Sequence, residues 1–401
     1  MTKQNKSAKE YSMSSQAMKN LDFSIRLDTV LESSDPSFIW YHPRVAVIPA
    51  KEAGGVPRVV MTLQKHLKTS DYYSGLYYML TDDLGEHWTA PIYTPELDWV
   101  KESDKVDVAV ADVTPGWHSP TGKVLAIGAQ VRYSSTGEQM EDRPRSHQTA
   151  YSVYDPGADT WTTWQVLEVP DEDIFNFARN ACSQWLVNKD GNLLVPLYIS
   201  RSTKEPFSVT VAEYSFDGER LSYVRHGNIL KLDIERGFCE PSLTQCEGRY
   251  FLTLRNDLKA YVTTSEDGLT FTVPQPWTFD DGTELGSWNT QQHWITHSGG
   301  LYLVYTRKGA DNDHIPRNRA PLFIARVDTE NLQVIRKTER VLIPEEGSEL
   351  GNFGASAVTP NESWVTVGEG IWDDAPKRKE PPMIYAARIK WNETKRNERA
   401  G

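Results

Sequence analysis

The chain has 401 residues, of which 39% are hydrophobic, 24% charged and 11% aromatic, with a formal net charge of −12. This balance describes a soluble globular protein with a sizeable core, and it argues against a nucleic-acid partner, because phosphate binding needs a basic face. Three cysteines are too few for a disulfide framework, and no apolar run is long enough to span a membrane as a helix, so no membrane partner is expected.

Residues 1–20 are polar, rich in Lys and Ser, and lack the apolar stretch of an export leader. They read as a flexible N-terminal segment of a cytoplasmic protein, or of a secreted or periplasmic one if a leader has been removed. An alternating apolar segment then recurs after a turn, six times. It reads Gly55-Val-Pro-Arg-Val-Val-Met-Thr-Leu, Gly122-Lys-Val-Leu-Ala-Ile, Gly191-Asn-Leu-Leu-Val-Pro-Leu-Tyr, Gly248-Arg-Tyr-Phe-Leu-Thr-Leu, Gly300-Leu-Tyr-Leu-Val-Tyr and Glu362-Ser-Trp-Val-Thr-Val-Gly. Spacings of roughly 50 to 70 residues match a β-propeller blade with its loops. Each copy is preceded by an apolar strand, as at Arg44-Val-Ala-Val-Ile, and followed by a third, as at Gly75-Leu-Tyr-Tyr-Met-Leu. No long segment has helical periodicity.

The expectation is an all-β, six-bladed propeller in a single domain over residues 21–391, followed by a charged tail, 392–401. The last blade lacks an outer strand, which Phe23-Ser-Ile-Arg-Leu-Asp-Thr-Val is expected to supply, closing the ring. Cys182, Cys239 and Cys246 lie in or beside predicted buried strands and read as small core residues. Thr81-Asp-Asp-Leu-Gly-Glu-His-Trp reads as a tight turn in which Asp83 caps backbone amides, Gly85 takes a positive φ and Trp88 anchors the turn. Thr264-Ser-Glu-Asp-Gly-Leu-Thr-Phe reads as a degraded copy with Glu266 in place of the aspartate, and Tyr154-Asp-Pro-Gly-Ala-Asp-Thr-Trp as a looser one.

In a propeller, the starts of inner strands, the ends of second strands and the loops that follow converge over the axis. Starts of inner strands offer Arg44, Asp107, Arg179 with Asn180, Glu240, Asn289 to Gln292, and Asn352 with Phe353. Ends of second strands offer His66, Arg132, Arg201, Arg255, Arg307 and Glu369, and the loops offer Asp71, Arg145, His147, Arg317 and Arg319. An acidic chain thus gathers arginines toward one mouth, where guanidinium groups suit a carboxylate, sulfate or phosphate. Histidines, cysteines and acids do not fall at metal-ligand spacings, so neither metal nor cofactor is expected.

The chain resembles the sialidase superfamily of six-bladed propellers over roughly residues 38–390. The resemblance rests on the Thr81–Trp88 turn, on Arg44 ahead of Val-Ala-Val-Ile-Pro, on Asp71 shortly before that turn, and on Glu240-Pro-Ser-Leu followed by Arg255. It implies that Arg44, Arg255 and Arg317 or Arg319 hold the carboxylate of an acidic sugar. It implies that Asp71 is the acid/base and that Glu240 assists the nucleophile or activates water. The family's nucleophilic tyrosine, expected at the start of the sixth inner strand, is missing from Gly351-Asn-Phe-Gly-Ala-Ser, where Phe353 or Ala355 stands. Either another group serves, the reaction inverts, or the substrate is not a sialoside.

The resulting expectation is an exo-acting glycoside hydrolase for a terminal acidic sugar, with an anionic carbohydrate as its partner. Asp71 and Glu240 carry the chemistry. Arg44, Arg179, Arg255, Arg317, Arg319, Asn289, Gln292 and His293 line the sugar site. Two alternatives remain open: a lyase on a uronic-acid polymer, with His66, His147, His293, Tyr72 or Tyr73 as base, and a non-catalytic sugar-binding propeller.

Overall fold

A computed structural model describes residues 23–67, 71–134, 136–140, 148–202, 204–370 and 381–392. The expected outer segments 1–20 and 393–401, together with Arg145 and His147, lie outside the described residues.

Six antiparallel sheets form the six blades of a propeller. From the axis outward, blade 1 contains Ile39–Ile48, Arg58–His66, Tyr73–Thr81 and Ile92–Tyr93. Blade 2 contains Val106–His118, Lys123–Ser134, Thr149–Asp155 and Thr160–Trp161. The inner edge of blade 3 is broken into Phe177–Arg179 and Leu186–Val187, both paired to Leu193–Ser200, with Ser208–Phe216 and Leu221–His226 outside. Blade 4 contains Cys239–Cys246, Arg249–Arg255, Tyr261–Ser265 and Gln275–Pro276. Blade 5 contains His293–His297, Gly300–Tyr305, Leu322–Asp328 and Gln333–Val334. Blade 6 contains Phe353–Thr359, Glu362–Gly368 and Met383–Trp391, and Phe23–Glu32 completes it from the N-terminal side. Phe23 pairs with Trp391 and Glu32 with Met383, so the expected closure is present.

Second strands such as Leu193–Ser200 are buried on both faces, because each blade is covered by a neighbour on either side. The core therefore consists of slabs between blades. Val60 of blade 1 packs with Ala126 and Tyr154 of blade 2. Val304 and Ile324 of blade 5 pack with Val365 and Ile389 of blade 6. Trp364 of blade 6 meets Val59 and Met79 of blade 1, completing the circle.

The turns after third strands form as expected. Asp83 Oδ1 accepts from the His87 amide at 2.9 Å and from Thr81 Oγ1 at 2.8 Å, and Gly85 has φ +80°. In the second copy the aspartate is present after all. Ser265 donates to Asp267 Oδ1 at 2.8 Å, and Asp267 also takes the Leu269 and Thr270 amides. The turn starts at Ser265 rather than Thr264 and is one residue shorter before Gly268, which shifted the reading of the sequence onto Glu266.

Cys239 and Cys246 join apolar slabs. Cys182 does not: it sits in the break of the third inner strand, and its thiol donates to Asp112 Oδ1 at 2.9 Å.

Candidate functional site

At one level of the inner strands, five successive blades each place a polar, non-glycine residue in the left-handed region. These are His42 (φ 55°), Asp112 (φ 57°), Cys182 (φ 53°), Glu240 (φ 43°) and Asn289 (φ 47°). Strand pairing slips at three of them, between Tyr41 and Arg44, Ala111 and Thr114, and Cys239 and Ser242. Each slip is a bulge that turns one side chain out of the strand. Left-handed backbone at non-glycine residues costs of order 1–3 kcal/mol apiece and concentrates at functional sites. The ring marks the mouth of the propeller.

On the side of blades 4 to 6, a hydrogen-bonded chain crosses this mouth. Glu240 Oε1 pairs with Arg255 Nη1, and Arg255 Nη2 donates to Asn289 Oδ1. Arg319 Nη2 donates to the Asn289 carbonyl at 2.8 Å, and its Nη1 lies 3.5 Å from Glu349 Oε2. Glu349 Oε1 accepts the Tyr41 hydroxyl at 2.6 Å, and Asn352 Nδ2 donates to that same hydroxyl at 2.9 Å. Arg236 holds Asp257 beside this chain at 2.7 Å. Arg317, exposed and left-handed at φ 57°, makes no ion pair or hydrogen bond among the described residues.

Burial works against the Arg255 charge, but Glu240 outweighs it and pushes the guanidinium pKa up. For Arg317 the balance is opposite: partial burial, then Arg319 and Arg255, push its pKa down. Four guanidiniums (Arg236, Arg255, Arg317, Arg319) gather on this side of the mouth with three carboxylates (Glu240, Asp257, Glu349).

The wall from blades 1 and 2 is aromatic and acidic. Tyr41 packs against His42 at 4.6 Å and His66 at 5.7 Å, and His42 against Tyr73 at 4.8 Å between ring centres. Tyr73 donates its hydroxyl to Asp71 Oδ1 at 3.1 Å, while Tyr133 donates to the Asp71 backbone carbonyl at 2.6 Å. Asp71 is exposed and itself left-handed, at φ 51°. His42 Nε2 lies 3.2 Å from Asp112 Oδ1. Burial, followed by Arg44 and His66, pushes the His42 pKa down, so this contact is made by a neutral ring.

The structure therefore brings Asp71, Glu240, Arg255, Arg317, Arg319 and Asn289 to the mouth. Arg179 lies toward blade 2, half-buried, with Nη2 donating to the Gln130 carbonyl at 2.8 Å. Gln292 is fully buried in the wall and spends its amide on Thr253, Ser287 and Thr290. Arg44 and His293 are 2% and 1% exposed, beneath the mouth rather than in it. Arg132, Arg201 and Arg307 are taken up locally by Glu102, Glu205 and Glu339. In blade 2 the ring residue is Asp112 rather than Asp107, because Val106–His118 runs on beyond the mouth as a hairpin with Val100–Ser103.

Sequence reasoning placed Asn352 at the mouth but missed Tyr41, Glu349, Asp112 and Cys182. Bulges break the alternation that would have assigned their faces. One signal was available: His42-Pro43 and Glu240-Pro241 share an X-Pro step at the same bulge.

No protein-family model matches the chain, and no curated protein matches it. Solved structures do. A protein of unknown function from Dyadobacter fermentans aligns over 91% of this chain and 99% of its own, with TM-score 0.63 and 16% identity. The NanB sialidase from Streptococcus pneumoniae aligns over 90% of this chain and 70% of its own, with TM-score 0.60 and 11% identity. The Trypanosoma rangeli sialidase aligns over 88% of this chain with TM-score 0.56 and 14% identity, and the match spans 55% of that enzyme's length. At such identities the likeness is one of fold: the chain is built on the six-bladed propeller that these sialidases share.

Proposed function

We propose that the chain is an exo-acting glycoside hydrolase for a terminal acidic sugar, with the mouth described above as its active site. The observation that carries this reading is the cluster of guanidiniums, Arg255, Arg317 and Arg319, gathered beside two carboxylates, Asp71 and Glu240, at one end of the axis. The carboxylate of an acidic sugar suits such a cluster. Arg317, which is exposed and has no hydrogen-bond or ion-pair partner among the described residues, is the group best placed to meet that carboxylate, with Arg255 and Arg319 beside it.

Glycoside cleavage needs a proton for the leaving oxygen and electron density at the anomeric carbon. Asp71 is the exposed acid and delivers the proton. The Tyr41–Glu349 pair offers the density. Burial, then Glu349, pushes the Tyr41 pKa up, so the phenol is protonated at rest. Its proton has a carboxylate oxygen 2.6 Å away to receive it. As the glycosidic bond breaks, the phenol oxygen bonds to the anomeric carbon and Glu349 takes the proton. Water then displaces the sugar from the phenol oxygen and gives a proton to Asp71, restoring the acid, while Glu349 returns its proton to Tyr41. Glu240, held by Arg255, stabilises positive charge on the ring.

Mass analysis of products from an acidic oligosaccharide tests this reading. Hydrolysis releases a terminal sugar with the elements of one water added. A product that absorbs in the near ultraviolet, with no water gained, identifies a lyase. Binding without products identifies a lectin-like propeller.

A further inference from the structure

Below the ring, on the propeller axis, polar groups from three blades converge without a protein partner. They are Nε and Nη2 of Arg44, Oγ1 of Thr114 and Nε2 of His293. All three side chains line one cavity, together with Gln184, Gly354 and Ala355. The cavity, about 10 Å³, has room for a single small occupant.

The walls are fixed. Gln184 reaches across from blade 3, donating to the Trp294 and Ala355 carbonyls at 3.0 and 3.1 Å and accepting the Trp294 amide at 2.7 Å. Blade 6 presses on the Arg44 stem: a Cβ on Gly354 would stand 2.6 Å from Arg44 Cγ. Arg44 keeps one polar tie, from Nη1 to the Val113 carbonyl at 3.3 Å, and has no ion pair among the described residues.

The chemistry of the lining is one-sided. The guanidinium offers two N–H groups and a full positive charge. Thr114 offers a hydroxyl. His293 Nδ1 lies 2.9 Å from Ser242 Oγ, and with that hydroxyl donating, Nε2–H points into the cavity. Burial, then Arg44, push the His293 pKa down to about 3, so the ring is a neutral donor. No carboxylate lines the cavity.

We propose that this cavity is a resident site for a single small monovalent anion of the halide class, chloride in practice, which neutralises Arg44 and ties blades 1, 2 and 5 together at the axis. A cation meets the Arg44 charge and no carboxylate to hold it. A water fills the space but leaves a buried guanidinium uncompensated, a costly arrangement. The carboxylate of a sugar is too large for the space, and Arg44, 2% exposed, offers it no way in.

Thermal unfolding of the whole chain tests this, at fixed pH and ionic strength, as sodium gluconate is replaced by sodium chloride or bromide. Tm rises with halide and saturates, by about 3 °C for a site filled well above its Kd. A bromide-soaked crystal shows an anomalous peak between Arg44, Thr114 and His293. Thr114→Val weakens the halide response. Arg44→Met abolishes it, and if that variant does not fold, the wild-type titration and the Thr114→Val comparison still decide. A Tm that is the same in gluconate and halide, or the lack of a bromide peak at this position, overturns the proposal. Either failure leaves the reading of the mouth untouched.

Discussion

The hydroxyl of Tyr41, in the first inner strand, lies 2.6 Å from Glu349 Oε1, 308 residues further along the chain, where blade 6 closes on blade 1. The phenol missing from the start of the sixth inner strand is thus matched by one approaching from the neighbouring blade. Asn352 at that strand's start donates to it at 2.9 Å. If this pair supplies the nucleophile, Tyr41→Phe lowers kcat by 100-fold or more, on the order expected for loss of a covalent step. Stability changes by about 1 kcal/mol, the worth of one hydrogen bond. Single-turnover kinetics with urea unfolding as control separate the two effects. Full activity in Tyr41→Phe rules the phenol out as nucleophile.

Asp71 owes its position to Tyr73 and Tyr133, which hold its carboxyl and its carbonyl respectively. A general acid matters most when the leaving group is poor. Asp71→Asn is therefore expected to slow an alkyl glycoside about 10²–10⁴-fold. An aryl glycoside with a weakly basic leaving group should be slowed far less. Equal losses on both would assign Asp71 to binding.

The Glu240–Arg255 pair is largely buried, with side chains 17% and 7% exposed. Removing one partner strands the other charge. Arg255→Met should cost about 3 kcal/mol in urea unfolding, whereas the double change with Glu240→Gln should recover part of it. Simple additivity of the two changes would contradict the pairing.

Acid stability follows from two buried histidines. Burial, then Arg44, bring the His293 pKa to about 3, and burial also leads in lowering that of His42. Unfolded, both titrate near 6.5. Below that value the unfolded chain binds protons that the folded chain refuses, so stability rises with pH. It is complete above 6.5 and is lost as pH falls toward 3, by about 1.4 kcal/mol per pH unit for each histidine. Between pH 6.5 and 5 the slope belongs chiefly to these two groups, with a part from half-buried His297, whose pKa burial also lowers. Urea midpoints across that window should fall, and His293→Gln should flatten the fall by about half. A flat wild-type profile would contradict the neutral, buried placement.

Phe23–Glu32 is the outer strand of the sixth blade and pairs along its whole length with Met383–Trp391. Deleting residues 1–32 exposes that edge and opens the ring. The truncated chain should lose its cooperative thermal transition and aggregate, as unpaired edges do. A monomeric truncation with unchanged Tm would mean that the closure contributes nothing.

The propeller was legible because its signal is repeated: six apolar second strands, each buried on both faces, announce themselves without reference to one another. The N-terminal closure followed from a count of strands. The site was legible only where a residue type is unambiguous, as with Asp71, Glu240, Arg255, Arg317 and Arg319. It failed at the bulges. A left-handed residue at His42 or Asn289 shifts the side chains that follow it in its strand, so Arg44 and His293, read at the mouth, lie beneath it. It failed also where partners come from opposite ends of the chain, as with Tyr41 and Glu349. Such contacts exist only once the ring closes.

The most direct test of the account is the rate at which the whole chain releases methylumbelliferone from a panel of 4-methylumbelliferyl glycosides of acidic and neutral sugars, with Arg317→Ala alongside. The account predicts turnover confined to an acidic sugar, with KM raised at least tenfold in Arg317→Ala, the loss of about one charge-assisted contact. Turnover of neutral sugars that is indifferent to Arg317, or no turnover of any acidic glycoside, would contradict it.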